Sequence, residues 1–515
     1  MKNKLPWLKT DRTQIVTETG SPLILKGVGL GGWLLPEGYM HKLDKPYDRP
    51  RRIEELVAST CGELYAKQFW DRYVDTYITD RDIEYIHRMG FNSIRLPLNS
   101  RTLCSFDRED NPVFYEKIIN KVDELLSWCD RYEVYCILDL HGAPGGQTGE
   151  NIDDSEYDKP RLFMDELYQR QTIALWKALA YRYHDRSVVA GYDLLNEPLP
   201  KWHGMYNDRL MPLYRKIRDA IREVDKRHMI ILEGLHWSTD WSIFEELEHE
   251  SFDTNVLLEF HKYWNNPDYE SIAVYKEMGE RLQMPIFMGE GGENNLAWYT
   301  AAFGMFSHNA ISWNFWTYKK MDCNNSLVTF PRPQSWDHTE KTKEMFDQLL
   351  INIEQYSRFL DEVAHALLRT SPLSIPAQWY DEYSSDYNRI EGAKIRSEDP
   401  ISILFYDGRH ADVDYCKQAG ELQADEDALF VLLRPGEALY YTFHVMKDGV
   451  YTLSVEAKLE EASALACSID SESWIQIGNS HSLHAPLEIG EHSFGIRCNK
   501  GEISLKTIEI QDGAV

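Results

Sequence analysis

Eight short apolar runs, each followed by a stretch of helical periodicity, constrain this chain more than any other feature. The runs are residues 25–33, 93–98, 135–141, 188–197, 229–234, 256–261, 285–290 and 311–316. Continuous apolar runs of this length are what strands buried on both faces require. Helical patterns lie between and after them at 80–89 (stopped by Gly90), 115–132, 163–184, 207–226, 241–247, 268–282 and 295–307, with one long helix expected at 339–368. Strict strand–helix alternation predicts a parallel sheet, and eight units predict α/β architecture as a closed (β/α)8 TIM barrel. An open doubly wound sheet is the alternative. It would need a phosphate-binding turn after the first strand, and Leu30-Gly31-Gly32-Trp33 is not one.

The pattern changes near Ser371-Pro372. Short alternating segments follow at 429–433, 438–445, 450–459, 473–477, 492–498 and 503–510, separated by turns such as Lys447-Asp448-Gly449 and Asn499-Lys500-Gly501. They predict an all-β sandwich. The expected division is a barrel domain over residues 1–370 and a sandwich over 371–515, and a chain of 515 residues is long enough for two cores. A small hairpin over residues 13–25 is expected to cap one end of the barrel.

In such a barrel the reactive groups sit at the C-terminal ends of the strands. Those ends carry a coherent polar set: Arg95 on strand two, Asp139 and His141 on three, Asn196 and Glu197 on four, His261 and Tyr263 on six, Glu290 on seven, Trp316 on eight. Singly, each has a structural explanation, such as an ion pair, a satisfied core histidine or a helix cap. Together, polar residues ending buried strands point to a site. Two glutamates at one rim are what glycoside hydrolysis needs. Pro198 is expected to end strand four and to hold Glu197 extended.

The set resembles glycoside hydrolase family 5, on Leu195-Asn196-Glu197-Pro198, Phe287-Met288-Gly289-Glu290, Ile94-Arg95-Leu96-Pro97, His141-Gly142 and His261-Lys262-Tyr263, over roughly residues 20–340. Gly27-Val28-Gly29-Leu30-Gly31-Gly32-Trp33-Leu34 and the loop beginning His141-Gly142-Ala143-Pro144 are similar to its exo-1,3-β-glucanase-like branch, although Thr148–Ser155 differ from it. The resemblance implies a retaining mechanism. Glu290 is then the nucleophile and Glu197 the acid/base. Arg95 and Tyr263 supply donors that keep Glu290 ionised, Asn196 binds the sugar 2-hydroxyl, and His141 and His261 hold the shell. Trp316 becomes the floor of the sugar site, and Trp33 and Trp264, like Trp202, Tyr206 and Trp237, are candidate sugar platforms whose competing explanation is loop packing. The sandwich resembles carbohydrate-binding modules of the family 6 and 35 type, on 438–453 and Thr507-Ile508-Glu509-Ile510. Trp379 and Trp474 there are read as core rather than ligand contacts.

Long loops at residues 36–50, 143–160 and 319–336 are expected to wall one end of a cleft, which favours exo action. The expected activity is hydrolysis of β-glucosides or short β-glucans. The alternatives are a β-mannoside or a glucosyl lipid or sterol with the same chemistry, and a catalytically silent carbohydrate binder. The formal net charge of −28 argues against nucleic acid. No apolar run approaches the roughly 20 residues of a membrane span, and the N-terminus lacks a signal-peptide core, so a cytoplasmic location is expected. The eight cysteines, Cys416 among them, form no CxxC pair, so reduced thiols are expected. Neither a cofactor nor a metal is expected, since no HExxH or close ligand pair occurs. The oligomeric state is not encoded in any motif.

Overall fold

The structure, a computed structural model, describes residues 5–415, 425, 428–459, 463–477 and 481–513. The first four residues and Cys416 lie outside the described residues. The chain forms two compact units. The first comprises Met1–Lys262, Val274–Gly291 and Ile311–Phe359, and the second Tyr263–Ala273, Gly292–Ala310 and Leu360–Val515.

The first unit is built on a closed barrel of eight strands in chain order: Lys26–Gly29, Ser93–Asn99, Tyr135–Gly142, Val189–Asp193, Met229–Glu233, Val256–Lys262, Ile286–Gly292 and Ser312–Trp316. Strand eight returns to strand one in parallel, Trp313 opposite Lys26. Burial is complete along strands two, three, six and seven, which is why their sequences do not alternate. Helix Asp80–Met89 shows how local signals set the boundaries. Thr79 and Asp82 form a capping box at its start, and Gly90, at φ 100°, ends it.

Several expectations are corrected. The hairpin lies earlier, as Leu8–Asp11 paired with Gln14–Thr17, because Arg12 turns the chain at φ 52°. Leu8, Ile15 and Leu25 pack with Tyr135, Ile137, Met229, Ile231, Leu257 and Phe287, closing the barrel at the N-terminal ends of its strands. Strand four ends at Asp193 rather than Glu197. The long helix is two, Lys343–Gln355 and Asp361–Leu368, interrupted by strand Arg358–Phe359, whose Phe359 stacks on Tyr85 at 3.9 Å. Helices Pro50–Cys61 and Glu63–Tyr77, hinged at Gly62 (φ 85°), were not expected.

The second unit carries two antiparallel sheets of six and five strands, consistent with a β-sandwich. Ile503–Asp512 is central to the larger sheet and Gly490–Lys500 to the smaller. Alternating burial along Ala438–Val445 marks the inner face. Strands Leu373–Pro376, Glu382–Ser384, Ser402–Phe405, Ala464–Ile469 and Ser482–Leu487 add to those expected. Helix Leu296–His308 belongs to this unit. Arg369 donates through Nε to the Thr300 carbonyl at 2.9 Å, lying where a Cβ on Gly304 would collide with it. The seven described cysteines are free thiols, and burial pushes the Cys129 thiol well up. No described helix is long and apolar enough to cross a membrane.

Candidate active site

One buried guanidinium organises the C-terminal end of the barrel. Arg95, on strand two, has no exposed surface. Its Nη2 donates to Asp193 Oδ2 (2.6 Å), Asn196 Oδ1 (2.8 Å) and Glu233 Oε1 (2.9 Å), and its Nη1 to Glu290 Oε2 at 3.0 Å. Asp139 Oδ2 is 3.2 Å from Nη1 and Glu259 Oε1 is 3.6 Å from Nη2. Burial alone would remove the charge, but Asp139, Asp193, Glu259 and Glu233 hold Arg95 cationic.

A single cation cannot ionise all of its neighbours. Burial therefore pushes the carboxyls up, joined by mutual repulsion at all but Asp139: Asp139 to about 7, Asp193 to about 6, Glu233 and Glu259 well above their usual range. Burial raises Glu197 to about 7, against the pull of Arg95. Glu290 is also raised by burial, with Arg95 opposing.

Both histidines are neutral, because burial lowers His141 to about 4 and His261 to about 3. Their partners fix the protons. Asn196 Oδ1 accepts from Arg95, so its amide nitrogen must donate to His141 Nε2 (3.4 Å), and the His141 proton sits on Nδ1 facing Asp139 Oδ2 at 2.8 Å. The His141 ring also stacks on Trp316, 5.4 Å between centroids and 6° from parallel. Trp316 is 3% exposed and donates to the Tyr39 hydroxyl at 2.8 Å. Gly29 and Gly31 make room for it, since a Cβ on either would come within 2.8 Å of the indole. The Trp316–Thr317 peptide is cis.

Glu197 departs from expectation. It is left-handed, φ 44°, not extended, and its backbone N–H donates to Glu233 Oε2 at 2.7 Å. That bond offsets the steric cost of the conformation and outweighs the pre-proline preference. Gln147, from the loop after strand three, donates to the carbonyls of His141 (2.7 Å) and Asn196 (3.0 Å), tying the two strand ends together. His261 Nδ1 lies 2.7 Å from Glu197 Oε1.

The structure thus brings together Arg95, His141, Asn196, Glu197, His261, Glu290 and Trp316. Trp33 is 1% exposed, with its indole N–H committed to the Val74 carbonyl at 2.9 Å. Tyr263 and Trp264 belong to the second unit, their rings 5.4 Å apart, and Trp264 is exposed. Sequence reasoning gave no role to Asp193, Glu233 or Glu259. A signal existed for two of them: Glu233 closes the apolar run Met229–Glu233, and Glu259 stands two residues before His261, on the same strand face. Among the described residues, Glu197, His261 and Glu290 each present an atom within 4.8 Å of the others, as do Glu233, Glu259 and His261. These are the described groups that could hold a metal ion, and Arg95 already places a positive charge beside both. Chemically, the first trio pairs a carboxyl poised to hold a proton with a second carboxyl hydrogen-bonded to a guanidinium.

A family model described as cellulase (glycosyl hydrolase family 5) matches residues 58–322. A β-xylosidase from Phanerodontia chrysosporium is 32% identical over 245 residues, 47% of this chain and 49% of that protein. A probable glucan 1,3-β-glucosidase A from Aspergillus fumigatus is 28% identical over 275 residues, 52% of this chain and 64% of that protein. The chain therefore spans about half to two thirds of the length of these relatives. The crystal structure of an endogalactoceramidase shares the fold along 98% of this chain and all of its own, with a TM-score of 0.50 and 13% identity. The family match, covering just over half of the 515 residues and both rim glutamates, establishes that this chain belongs to glycosyl hydrolase family 5.

Proposed function

We propose that the chain is a retaining, exo-acting β-glycosidase that hydrolyses β-glucosidic bonds of oligosaccharides or small β-glucosides. The observation that carries this is the close approach of Glu197 and Glu290, each with a carboxyl oxygen within 4.8 Å of the other. Retention needs carboxyls roughly 5–5.5 Å apart, and inversion about 6.5–9.5 Å so that a water fits between. Glu290, paired with Arg95, attacks the anomeric carbon. Glu197, held protonated by burial near neutrality, gives its proton to the leaving oxygen and then takes one from water. The names of the two relatives, a β-xylosidase and a glucan 1,3-β-glucosidase, support a β-linked sugar.

Exo action is supported by the way the three long loops are fastened. Arg49, 1% exposed, donates from the first to the Ser155 carbonyl and hydroxyl of the second at 3.1 and 2.9 Å. Trp336 of the third donates to the His41 carbonyl at 2.7 Å. A wall cross-tied in this way favours a pocket over an open cleft. A second reading, an apolar aglycone such as a lipid or sterol, is favoured by Trp202 and Met205, 57% and 69% exposed, with the Trp237 ring 6.0 Å from that of Trp202. The reading of Trp379 and Trp474 as core rather than ligand contacts is supported by the 2% exposure of Trp379 and by the Arg497 guanidinium, 4.4 Å from the Trp474 ring centroid.

A panel of nitrophenyl β-glycosides and octyl β-glucoside tests the reading. The β-glucoside should be cleaved with retention, Glu290→Ala should lower kcat by at least about a thousandfold, and the alkaline limb of kcat/KM should fall near pH 7, where burial places Glu197 in the free protein. Substantial hydrolysis by Glu290→Ala would overturn it.

A further inference from the structure

His261 stands among three carboxyl groups, and only one of them belongs to the expected chemistry. Its Nδ1 is 2.7 Å from Glu197 Oε1, and its Nε2 is 3.2 Å from Glu259 Oε1 and 3.4 Å from Glu233 Oε2. A neutral imidazole carries one proton, so one of its nitrogens donates and the other must accept. The choice matters for the acid. If Nδ1 carries the proton, Glu197 Oε1 is an acceptor throughout the cycle, and the acidic proton of Glu197 is confined to Oε2. If Nε2 carries it, Nδ1 becomes an acceptor and draws the acidic proton onto Oε1, where it points at the histidine and not at a leaving oxygen.

Neighbouring groups decide between the two. Glu233 is already an acceptor at both oxygens, from the Glu197 backbone N–H and from Arg95. Glu259 is not. It has no exposed surface, its Oε2 has no hydrogen-bond partner among the described residues, and Arg95 lies 3.6 Å from its Oε1 with nearer acceptors around it. Among the described residues, the charged and titratable groups facing Glu197, His261 and Glu259 from neighbouring elements include Arg95, Asp139, His141, Asp193, Tyr214, Glu233 and Glu290. They comprise four carboxyls against one guanidinium. Burial and the carboxyls of Asp193 and Asp139 hold Glu259 in the acid form, against the pull of Arg95. A carboxylic acid can donate to Nε2, and a carboxylate cannot. The site is also built around this side chain: a Cβ on Gly289, the residue before Glu290, would lie 1.6 Å from Glu259 Oε1.

We propose that Glu259 is a positioning residue that acts through His261: as a carboxylic acid it donates to Nε2, fixes the ring proton on Nδ1, and so confines the acidic proton of Glu197 to Oε2. No proton is transferred in this role, and the three groups keep the same hydrogen bonds whether or not Glu197 is ionised. The inference rests on the acid/base role proposed for Glu197.

Nitrogen-15 spectra of the histidine-labelled, full-length protein at pH 6–8 test it, with the His261 signals assigned by their loss in His261→Asn. The wild type should show His261 protonated on Nδ1. Glu259→Met should move the ring towards the Nε2 form and lower kcat about tenfold with KM within about twofold, because the lost effect is on the acid rather than on binding. Glu259→Gln, whose amide can still donate, should restore the Nδ1 form and most of the rate. A wild-type ring protonated on Nε2 overturns the proposal, even if Glu259→Met fails to fold. So does an equal loss in the Met and Gln variants. Neither spectral result depends on hydrolysis, so a wild type inactive on every glycoside would count against the function and not against the tautomer.

Discussion

The two ends of one barrel solve opposite problems. At the N-terminal ends of the strands, Leu8 and Ile15 of the hairpin and Leu25 close the interior with side chains that have nothing to ionise. At the C-terminal ends, six carboxyls and two imidazoles share the field of Arg95. Both are buried. Apolar burial stabilises in proportion to the area removed from water, whereas buried charge costs several kcal/mol per ion unless it is paired or neutralised. The first end therefore stabilises the fold, and the second stores protons that chemistry can use. A carboxyl near the closed end sharpens the contrast. Asp225, just before strand five, is 2% exposed yet is held down to about 2, the opposite direction from Glu197.

The largest expected effect comes from removing the cation. Arg95→Met leaves Asp193, Glu233 and Glu290 without the donor they share, so stability should fall by about 3–5 kcal/mol and glycosidase activity should vanish. Calorimetry together with a β-glucoside assay checks both. A variant that keeps its melting temperature would break the claim that this end depends on one guanidinium. Next, Ile15→Ala, at a site 5% exposed in the closed end, should cost about 2–4 kcal/mol and leave kcat within about twofold. Loss of activity in a folded Ile15→Ala protein would show that the two ends are not separable.

The architecture was legible because buried strands announce themselves as apolar runs, and because Glu197 and Glu290 close two of those runs. What was illegible has a physical pattern. Strand four looked four residues longer than it is, since Leu194 and Leu195 are as buried outside the ladder as they would be inside it. The left-handed turn at Glu197 is set by Glu233, 36 residues away, and no local rule reports a partner at that distance. Glu259 was overlooked because a charged residue inside an apolar strand reads as an interruption. Its meaning appears only when Arg95 and Gly289 arrive from other strands and the His261 ring, two residues on, turns to the same face. Trp33 follows strand one, where a platform is expected, but it is 1% exposed and its indole N–H is committed to the Val74 carbonyl.

The smallest effect concerns Asp225, and it isolates the cause of the contrast. Burial works against its charge, as it does for Glu197. Here, however, the His228 ring, the backbone N–H of Arg227 (2.8 Å) and the Tyr192 hydroxyl (2.7 Å) all donate to the carboxylate and win. Its folded pKa lies below its unfolded value of 3.8, so the folded state binds the proton less tightly. The stabilisation is therefore complete above about pH 4 and is lost as pH falls towards 2. The shift is worth about 2 kcal/mol. Asp225→Asn should accordingly lower stability by about that amount at pH 7 and by much less near pH 2, in denaturant titrations at the two values. If the difference persists undiminished at low pH, the carboxylate is held by packing rather than by its donors. Donor supply, not depth of burial, would then no longer explain why one end of the barrel ionises its acids and the other protonates them.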